Sequence, residues 1–569
     1  MSTPSATDRY DAATLEILWS RLHGVTEEMW NTILRTSFST IVGAALDYGC
    51  AILDGNGGQL VHATGSMPLF NLALPAFTRE LLRRYEGRIS PGDVFIGNDP
   101  WLLCGHIPDV AIVTPVFYKD RLVAFSSSVA HQADFGGAHG ARRVREVYEE
   151  GLFIPVMKLY DRGTRNETLF QIIEANVRVS DLVLGDLEAQ VTANELGAQR
   201  LVALMREYDL DDPAALAAEL QGRSEQAMRA IIRDLPDGTY RAEGFADPLD
   251  AGGNPSKISV AITIAGDEIL VDYEGTSGQL ESGGLNCTLA YTIGDTHYGI
   301  KAILAPNIPH NEGSTRPIRV LAPEGSLLNC TKPVSVHART RTGWHIYAPL
   351  FAALSGIAPE RVMAGSGLLV FPRITGTYVD GKGYNAPIFA GGGQGGSSGH
   401  DGIGGYIFPS SASSVSVEVF EAACPAVITE KEWIIDSAGA GQFRGGPAER
   451  LTLRRLPGHV APVRMFYIPI RGAVPATGMF GGREGSLDIP LWNGMPIGPN
   501  SEIRRDGWTM FRTDSDELTF HVASGGGYGD PATRDHAAID ADMRNGLVSR
   551  EGAARDYGYS PGGSVQRQR

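Results

Sequence analysis

The sequence predicts an α+β fold with several domains, in which a mixed α/β region at the N-terminus precedes β-rich, glycine-rich domains. Before residue 236, long segments carry apolar residues at helical spacing, with short β-branched runs between them. After residue 236 the apolar residues alternate with period two, as in half-buried strands. The 70 glycines among 569 residues indicate many tight turns and loops.

Four segments of the N-terminal region are predicted to be helical. In the first, Leu15, Leu18 and Leu22 begin an apolar stripe whose register drifts, so we expect one long helix or two short ones. The fourth ends at Pro236-Asp237-Gly238, which is a strong stop signal. The four segments are residues 11–40, 67–90, 169–207 and 212–235.

Strands are predicted between these helices and throughout the rest of the chain. Two short strands flank the glycine-rich turn at Gly55–Gly58, and Ala265-Gly266-Asp267 forms a hairpin turn between two alternating runs. An apolar helix is expected near Trp344–Leu354, and a short helix is expected near Ile539–Tyr557. The predicted domains are residues 1–236, 237–455 and 456–560, followed by a disordered tail at 561–569.

A β-hairpin is predicted from Val110 to Ala130. Two β-branched runs, Val110–Tyr118 and Arg121–Ala130, are separated by the polar pair Lys119-Asp120. A regular ladder through that turn places Pro108 opposite His131. His106 then lies diagonally across from His131 on the same face, roughly 7–8 Å away between Cα atoms.

The ends of this hairpin carry two similar pairs, His106 with Asp109 and His131 with Asp134. Imidazoles that converge with carboxylates suit a borderline divalent metal such as Zn²⁺ or Mn²⁺. In a regular strand Asp109 points to the opposite face, but Pro108 disfavours a regular strand there. The alternative is that these are ordinary polar residues at strand ends. Asp47, in an apolar run, is either a backbone acceptor or a further ligand, since a buried carboxylate needs a partner.

Composition excludes several classes of protein. A net charge of −16 argues against binding nucleic acid or anionic membrane surfaces. Five widely spaced cysteines indicate reduced thiols in a cytoplasmic protein, and we find neither a signal peptide nor a membrane span. No GxxxxGK[ST] motif occurs, so no ATP site is expected on this chain. Glycine clusters such as Gly391–Gly396 lack the strand–turn–helix context of a dinucleotide site and more simply permit close backbone approach.

Motifs along nearly the whole chain resemble those of the hydantoinase B/oxoprolinase family, the second subunits of ATP-dependent hydantoinases and oxoprolinases, which also includes a subunit of acetone and acetophenone carboxylases. The matching stretches are GNDP at 97–100, GHIPDVAIVTPVF at 105–117, AHQADFGG at 130–137, EGLFIPVMKL at 150–159, GDLEAQVTAN at 185–194, PNIPHNEGSTRPIRVLAPEGSLLN at 306–329, DSAGAGQFRGGPAER at 436–450 and GGGYGDPATRD at 525–535.

The resemblance implies a metal held by Asp47, His106, Asp109 and His131, with Asp134 as a nearby catalytic partner. Mixed nitrogen and oxygen ligands without a thiolate suit Zn²⁺ first and Mn²⁺ next. It also implies a hetero-oligomer with a hydantoinase A-type ATPase subunit, which uses ATP to phosphorylate the carbonyl oxygen of a hydantoin, oxoproline or lactam. A metal-bound water on this chain then hydrolyses the activated intermediate.

Two alternatives remain at this stage. One is the equivalent subunit of an ATP-dependent ketone carboxylase, and the other is a scaffold without catalysis, which would not need the His and Asp residues. The sequence departs from the family pattern at Trp101–Cys104 and at residues 41–46. Both changes suggest a more apolar pocket wall, and Cys104 is either a further ligand or a small packing residue.

Overall fold

The computed structural model describes residues 11–138, 144–250, 252–378, 380–459, 461–467, 469–498 and 508–560. The chain forms two compact units. The first comprises Met1–Arg241, Ser259–Gly343 and Ser410–Ser413, and the second comprises Ala242–Ile258, Trp344–Pro409 and Ser414–Arg569. The three-domain division at 236 and 455 stays a prediction, and the predicted tail at 561–569 lies outside the described residues.

The helices in the described ranges vary from one turn to 28 residues. They are α1 Ala12–Thr36, α2 Thr40–Gly43, α3 Pro68–Arg84, α4 Glu167–Asn176, α5 Ser180–Glu207, α6 Ala214–Arg233, α7 Leu289–Leu304, α8 Glu312–Thr315, α9 Thr340–Gly343, α10 Tyr347–Leu354, α11 Val417–Ala423, α12 His536–Arg544 and α13 Arg550–Tyr557. None of them combines the length and apolar character that a membrane crossing requires.

The strands in the described ranges are two to eleven residues long. They are β1 Tyr48–Asp54, β2 Gln59–His62, β3 Val94–Gly97, β4 Asp109–Tyr118, β5 Arg121–His131, β6 Met157–Asp161, β7 Thr164–Arg165, β8 Gly238–Ala246, β9 Ser256–Ala265, β10 Glu268–Asp272, β11 Ile318–Leu321, β12 Leu369–Val370, β13 Arg373–Thr377, β14 Gly383–Pro387, β15 Ala390–Gly391, β16 Ala426–Trp433, β17 Glu449–Arg455, β18 Val463–Phe466, β19 Ile489–Trp492, β20 Met495–Pro496, β21 Trp508–Phe511 and β22 Glu517–Val522.

The first unit contains a seven-stranded antiparallel sheet with strand order β2-β1-β5-β4-β3-β6-β7. Every residue of β1 is buried, as are most residues of β4 and β5. Helix α5 packs on β4 and β5, and its Gln190 and Asn194 donate hydrogen bonds to the carbonyls of Val110 and Ile112, at 3.2 and 2.8 Å. These bonds fix the beginning of β4 against the helix.

The predicted α+β class is confirmed, and the N-terminal elements lie close to their predicted positions. The prediction missed α7 and three short helices, α8, α9 and α11. The buried face of α7 includes Thr292, Gly294, Asp295 and Thr296, so small and polar residues conceal its helical period. The single helix predicted near Ile539–Tyr557 is instead two, α12 and α13.

Glycine-rich segments of the second unit pack backbone against backbone. Gly446 donates to the carbonyl of Gln394 at 2.7 Å, and Gly525 donates to the carbonyl of Gly446 at 3.0 Å. A Cβ atom added at Gly393 would lie 2.0 Å from the Gly446 carbonyl oxygen, and one added at Gly525 would lie 2.0 Å from that of Gln394. These glycines therefore serve close packing of the backbone, as their sequence context predicts.

The substitution Gly525→Ala is expected to destabilise the protein by about 3 kcal/mol or more, because the backbone must move to relieve the overlap. Gly498→Ala is the matched control, since a Cβ there meets no atom within 4 Å. Urea unfolding of both variants measures the effect. Equal stability of the two variants would contradict the close packing.

Candidate metal centre

The hairpin of β4 and β5 turns at Lys119 and Asp120, as predicted. Both residues have positive φ, 50° and 60°, which is the backbone conformation of a two-residue type I′ turn. Neither residue is glycine, and the strands on both sides pair without a gap at Tyr118 and Arg121.

The predicted register of the hairpin is wrong by one residue. Val116 pairs with Ala124 whereas Phe117 pairs with Leu122, so Val123 is an extra residue that forms a β-bulge. Beyond the bulge, His131 pairs with Asp109 and not with Pro108. Because side chains alternate along a strand, the bulge brings Asp109 to the histidines, whereas a regular ladder turns it away.

His106, Asp109 and His131 form a buried group whose potential ligand atoms all lie within 4.8 Å of one another. Asp109 Oδ1 lies 2.7 Å from His106 Nε2 and 2.9 Å from His131 Nδ1. The two imidazole rings are 4.9 Å apart between centroids. Both histidines are 6% exposed and Asp109 is fully buried, so the group is shielded from bulk water.

Several polar atoms of this region have no hydrogen-bond partner among the residues that the structure describes. His106 Nε2 is close to Asp109 but lacks the direction of a hydrogen bond, and His131 Nε2 and Asp47 Oδ1 are buried without a partner. Unsatisfied buried polar atoms cost free energy, so their presence on two members of one buried group and on the neighbouring Asp47 is an indication of a ligand. Two imidazole nitrogens with carboxylate oxygens match the donor set of Zn²⁺ or Mn²⁺.

Electrostatics keep the group in a form suited to metal binding. Burial, supported by the Arg339 guanidinium, lowers the pKa of His106 to about 3, so its ring is neutral. Burial alone would raise the pKa of Asp109, but the neighbouring His106 and Arg339 and the contact with His131 hold that pKa well below its usual range. Metals bind neutral imidazole and ionised carboxylate, and these are the forms expected at neutral pH.

Asp47 lies just before β1, next to His131 but outside the group of three. Its carbonyl accepts a hydrogen bond from the His131 amide at 3.0 Å. Burial raises the pKa of its carboxyl to about 6, and the neighbouring His131 opposes this shift. A nearby cation would stabilise the ionised form of this buried carboxyl.

The substitution Asp47→Asn is expected to stabilise the metal-free protein and to weaken metal binding. The folded pKa lies above the usual value of 3.8, so stability is lost as pH rises from about 4 to about 6. Removing the charge should add on the order of 1–3 kcal/mol at pH 8, and about half of that at pH 5. Urea unfolding of EDTA-treated protein at both pH values measures this gain. A gain that does not change with pH would contradict the titration of Asp47.

Two other residues considered from the sequence lie outside the group of three. Asp134 is buried and pairs with Arg178, its Oδ1 lying 2.7 Å from Nη1, so its catalytic role stays a prediction. Burial raises the pKa of the Cys104 thiol well above its usual value, and the protonated thiol is a poor ligand. The backbone carbonyl of Cys104 accepts a hydrogen bond from Arg339.

Sequence reasoning missed Arg339, which lies 230 residues after Asp109 and contacts its Oδ2 at 2.9 Å. No motif spacing connects the two positions. The only available signal was the general rule that a buried carboxylate beside histidines needs a cationic partner.

Comparisons with known proteins identify the family of this chain. The family model described as hydantoinase B/oxoprolinase matches residues 11–531. The B subunit of a putative D-/L-hydantoinase from Pseudomonas sp. (strain NS671) is 31% identical over 97% of this chain and 95% of its own length. The beta subunit of caprolactamase from Pseudomonas jessenii is 31% identical over 98% of this chain and 97% of its own length.

Solved structures show the same fold. A chain in the crystal structure of the ATP-dependent caprolactamase from Pseudomonas jessenii superposes with a TM-score of 0.88 at 27% identity, covering 98% of both chains. A chain of nucleotide-free acetone carboxylase superposes with a TM-score of 0.85 at 18% identity, covering 98% of this chain and 80% of that one. The family match and these full-length similarities show that this chain belongs to the hydantoinase B/oxoprolinase family.

Proposed function

We propose that this chain is the metal-binding subunit of an ATP-dependent cyclic amidohydrolase that opens a hydantoin, oxoproline or lactam ring. In this proposal His106, Asp109, His131 and Asp47 hold one divalent ion, Zn²⁺ in preference to Mn²⁺. The observation that supports it is the buried group in which His106 Nε2 and His131 Nδ1 lie 2.7 and 2.9 Å from Asp109 Oδ1, with potential ligand atoms all within 4.8 Å of one another.

Each residue has a definable role in this site. Asp109 Oδ1 lies 2.9 Å from His131 Nδ1 and 2.7 Å from His106 Nε2, so these three atoms face one another and are the ones placed to hold an ion. The Nδ1 edge of His106 faces Arg339 and the carbonyl of His337, so Nε2 is the nitrogen that faces the other two residues. A divalent ion there would supply Lewis acidity, which polarises a carbonyl or phosphoryl oxygen and makes water a nucleophile near pH 7.

The chain is proposed to act with a hydantoinase A-type ATPase partner as a hetero-oligomer. The hydantoinase and caprolactamase relatives are named as the B and beta subunits of their enzymes, and the sequence contains no phosphate-binding GxxxxGK[ST] loop. In this scheme the partner phosphorylates the carbonyl oxygen of the cyclic amide. This chain receives the activated intermediate in a buried site where competing side reactions with bulk water are limited.

A cyclic amide is favoured over a ketone as the substrate. The relatives at 31% identity over nearly full length are named as subunits of a hydantoinase and a caprolactamase. The acetone carboxylase chain shares the fold at only 18% identity, so it does not carry the reaction over to this chain. The reconstituted complex, supplied with ATP and a panel of hydantoins, lactams and ketones with and without bicarbonate, tests this choice. Bicarbonate-dependent ketone consumption would replace the proposal with the carboxylase reaction.

The purified chain is expected to contain about one equivalent of a divalent transition metal, most of it zinc, because imidazole and carboxylate donors suit Zn²⁺ and Mn²⁺. Elemental analysis after gel filtration without chelator measures the content. Removal with EDTA and titration with Zn²⁺ should restore one equivalent. Protein that neither contains nor rebinds a stoichiometric metal would refute the site.

A further inference from the structure

Arg339 is a buried arginine whose guanidinium is directed entirely at the proposed metal site. The residue is 5% exposed. Its Nη2 donates to Asp109 Oδ2 at 2.9 Å and its Nε donates to the carbonyl of Cys104 at 2.7 Å. Its Nη1 lies 3.0 Å from His106 Nδ1. All three guanidinium nitrogens are thus placed against the segment that contains two of the proposed ligands.

In this arrangement the two carboxylate oxygens of Asp109 have different partners. Oδ2 is occupied by Arg339, whereas Oδ1 faces His106 and His131. The terminal torsion of an aspartate is soft, so without a partner the carboxylate can rotate between several orientations. The bond from Arg339 selects the orientation in which a single oxygen faces the histidines.

The polarity of the contact between Arg339 and Asp109 is unambiguous, whereas that of the contact between Arg339 and His106 depends on the tautomer of the imidazole. A guanidinium can only donate, so Nη1 favours the tautomer of His106 with its proton on Nε2. The carbonyl of His337, 3.4 Å from the same Nδ1, favours the proton on Nδ1. The contact with Asp109 has no such ambiguity, because an ionised carboxylate only accepts hydrogen bonds and a guanidinium only donates them.

Arg339 is itself held in place from two sides. Glu150 Oε1 accepts hydrogen bonds from the amides of Val336 and His337, which fixes the segment leading to Arg339. The guanidinium carbon lies 5.1 Å from the centroid of the Tyr291 ring, within the range of a cation–π contact. Glu150 is 2% exposed and Tyr291 is fully buried, so this support is rigid.

We propose that Arg339 is the positioning residue that fixes Asp109 as a one-oxygen ligand of the metal. This proposal rests on the metal site proposed above. It differs from a purely structural role, in which Arg339 only neutralises a buried charge. A lysine would satisfy the structural role, because it keeps the positive charge. It cannot reproduce the planar fork that holds Oδ2 and the Cys104 carbonyl together.

The test is a titration of EDTA-treated protein with Co²⁺, whose visible absorption reports the number and geometry of ligands, followed by competition with Zn²⁺. We expect Arg339→Gln and Arg339→Lys each to weaken metal binding by about 10- to 100-fold, the usual effect of removing a residue that orients a ligand. The Co²⁺ band should also change shape at saturating metal, which a loss of stability alone does not produce.

Arg444→Gln is the matched control. Arg444 is also a buried arginine that forms a two-bond fork with an aspartate, Asp542, at 3.0 Å for both bonds. It should lower stability and leave the Co²⁺ affinity and spectrum unchanged. Should Arg339→Gln fail to fold, Arg339→Lys decides, since it keeps the buried charge paired.

The outcomes separate this proposal from the one on which it rests. If the wild-type chain does not bind Co²⁺ or Zn²⁺, the metal site itself is wrong. If the wild-type chain binds and both Arg339 variants bind within twofold with the same spectrum, Arg339 does not position Asp109. A wild-type affinity and spectrum in Arg339→Lys alone also overturns the proposal, because charge neutralisation then suffices.

Discussion

Replacing His131 with alanine is expected to abolish product formation by the complex, with a loss of at least about a thousandfold, while part of the ATP hydrolysis persists. His131 closes the group from β5, pairs with Asp109 across the hairpin, and places its Nδ1 2.9 Å from Asp109 Oδ1. Losing this ligand removes one of the three side chains that face the proposed ion, so the metal is lost with it. The ATP site is proposed to lie on the partner subunit, so the partner should continue to turn over ATP without coupling it to ring opening.

His62→Ala is the matched control for this experiment. His62 also ends a strand of the same sheet, and its Nδ1 contacts the carbonyl of Ala63 at 2.9 Å. It should leave metal content and coupling near the wild-type values. Metal content, ATP turnover and product are measured in the same preparations of both variants. Full metal occupancy and normal coupling in His131→Ala would remove His131 from the site.

The second large effect is the dependence of ring opening on the partner subunit. The chain alone is expected to open no lactam or hydantoin at a measurable fraction of the rate of the complex, even when fully loaded with zinc. An unactivated amide is a poor electrophile, and the proposed function assigns its activation to a phosphoryl transfer that this chain does not perform. Ring opening is followed by chromatography with the chain alone, the partner alone, and both together, each with and without ATP.

Omitting ATP from the complete mixture controls for residual amidase activity. We expect the full reaction only where both subunits and ATP are present, so activity should fall by orders of magnitude in every other mixture. Ring opening by the isolated chain at a rate close to that of the complex would refute the division of labour. The chain would then be a self-sufficient metal hydrolase.

The sequence predicted the hairpin and its turn because both depend on local patterns. Two β-branched runs and a polar pair between them are sufficient to place Lys119 and Asp120 at the tip. The β-bulge at Val123 was not predictable in the same way. It lies in a continuous run of apolar and small residues, where one extra residue leaves no change in the pattern.

The other features that were not predicted also leave no local pattern in the sequence. Arg339 reaches Asp109 from a segment 230 residues away, and no local rule connects such positions. Helix α7 escaped prediction because its buried face is built from small and polar residues. Resemblance to a family supplied Asp47 and the set of four residues, whereas the structure added the contacts of Asp109 with both histidines and with Arg339.

The β-bulge at Val123 also limits how this hairpin can change in evolution. Asp109 and His131 lie on the same face of the hairpin because of the number of residues that separate them along the chain. They stay on one face only if that number remains odd or even as it is now. A deletion or insertion of one residue between these positions would move the side chain of Asp109 or of His131 to the opposite face of the sheet. Lineages that retain the site should therefore differ in hairpin length by even numbers, or should gain or lose a bulge together with each single-residue change.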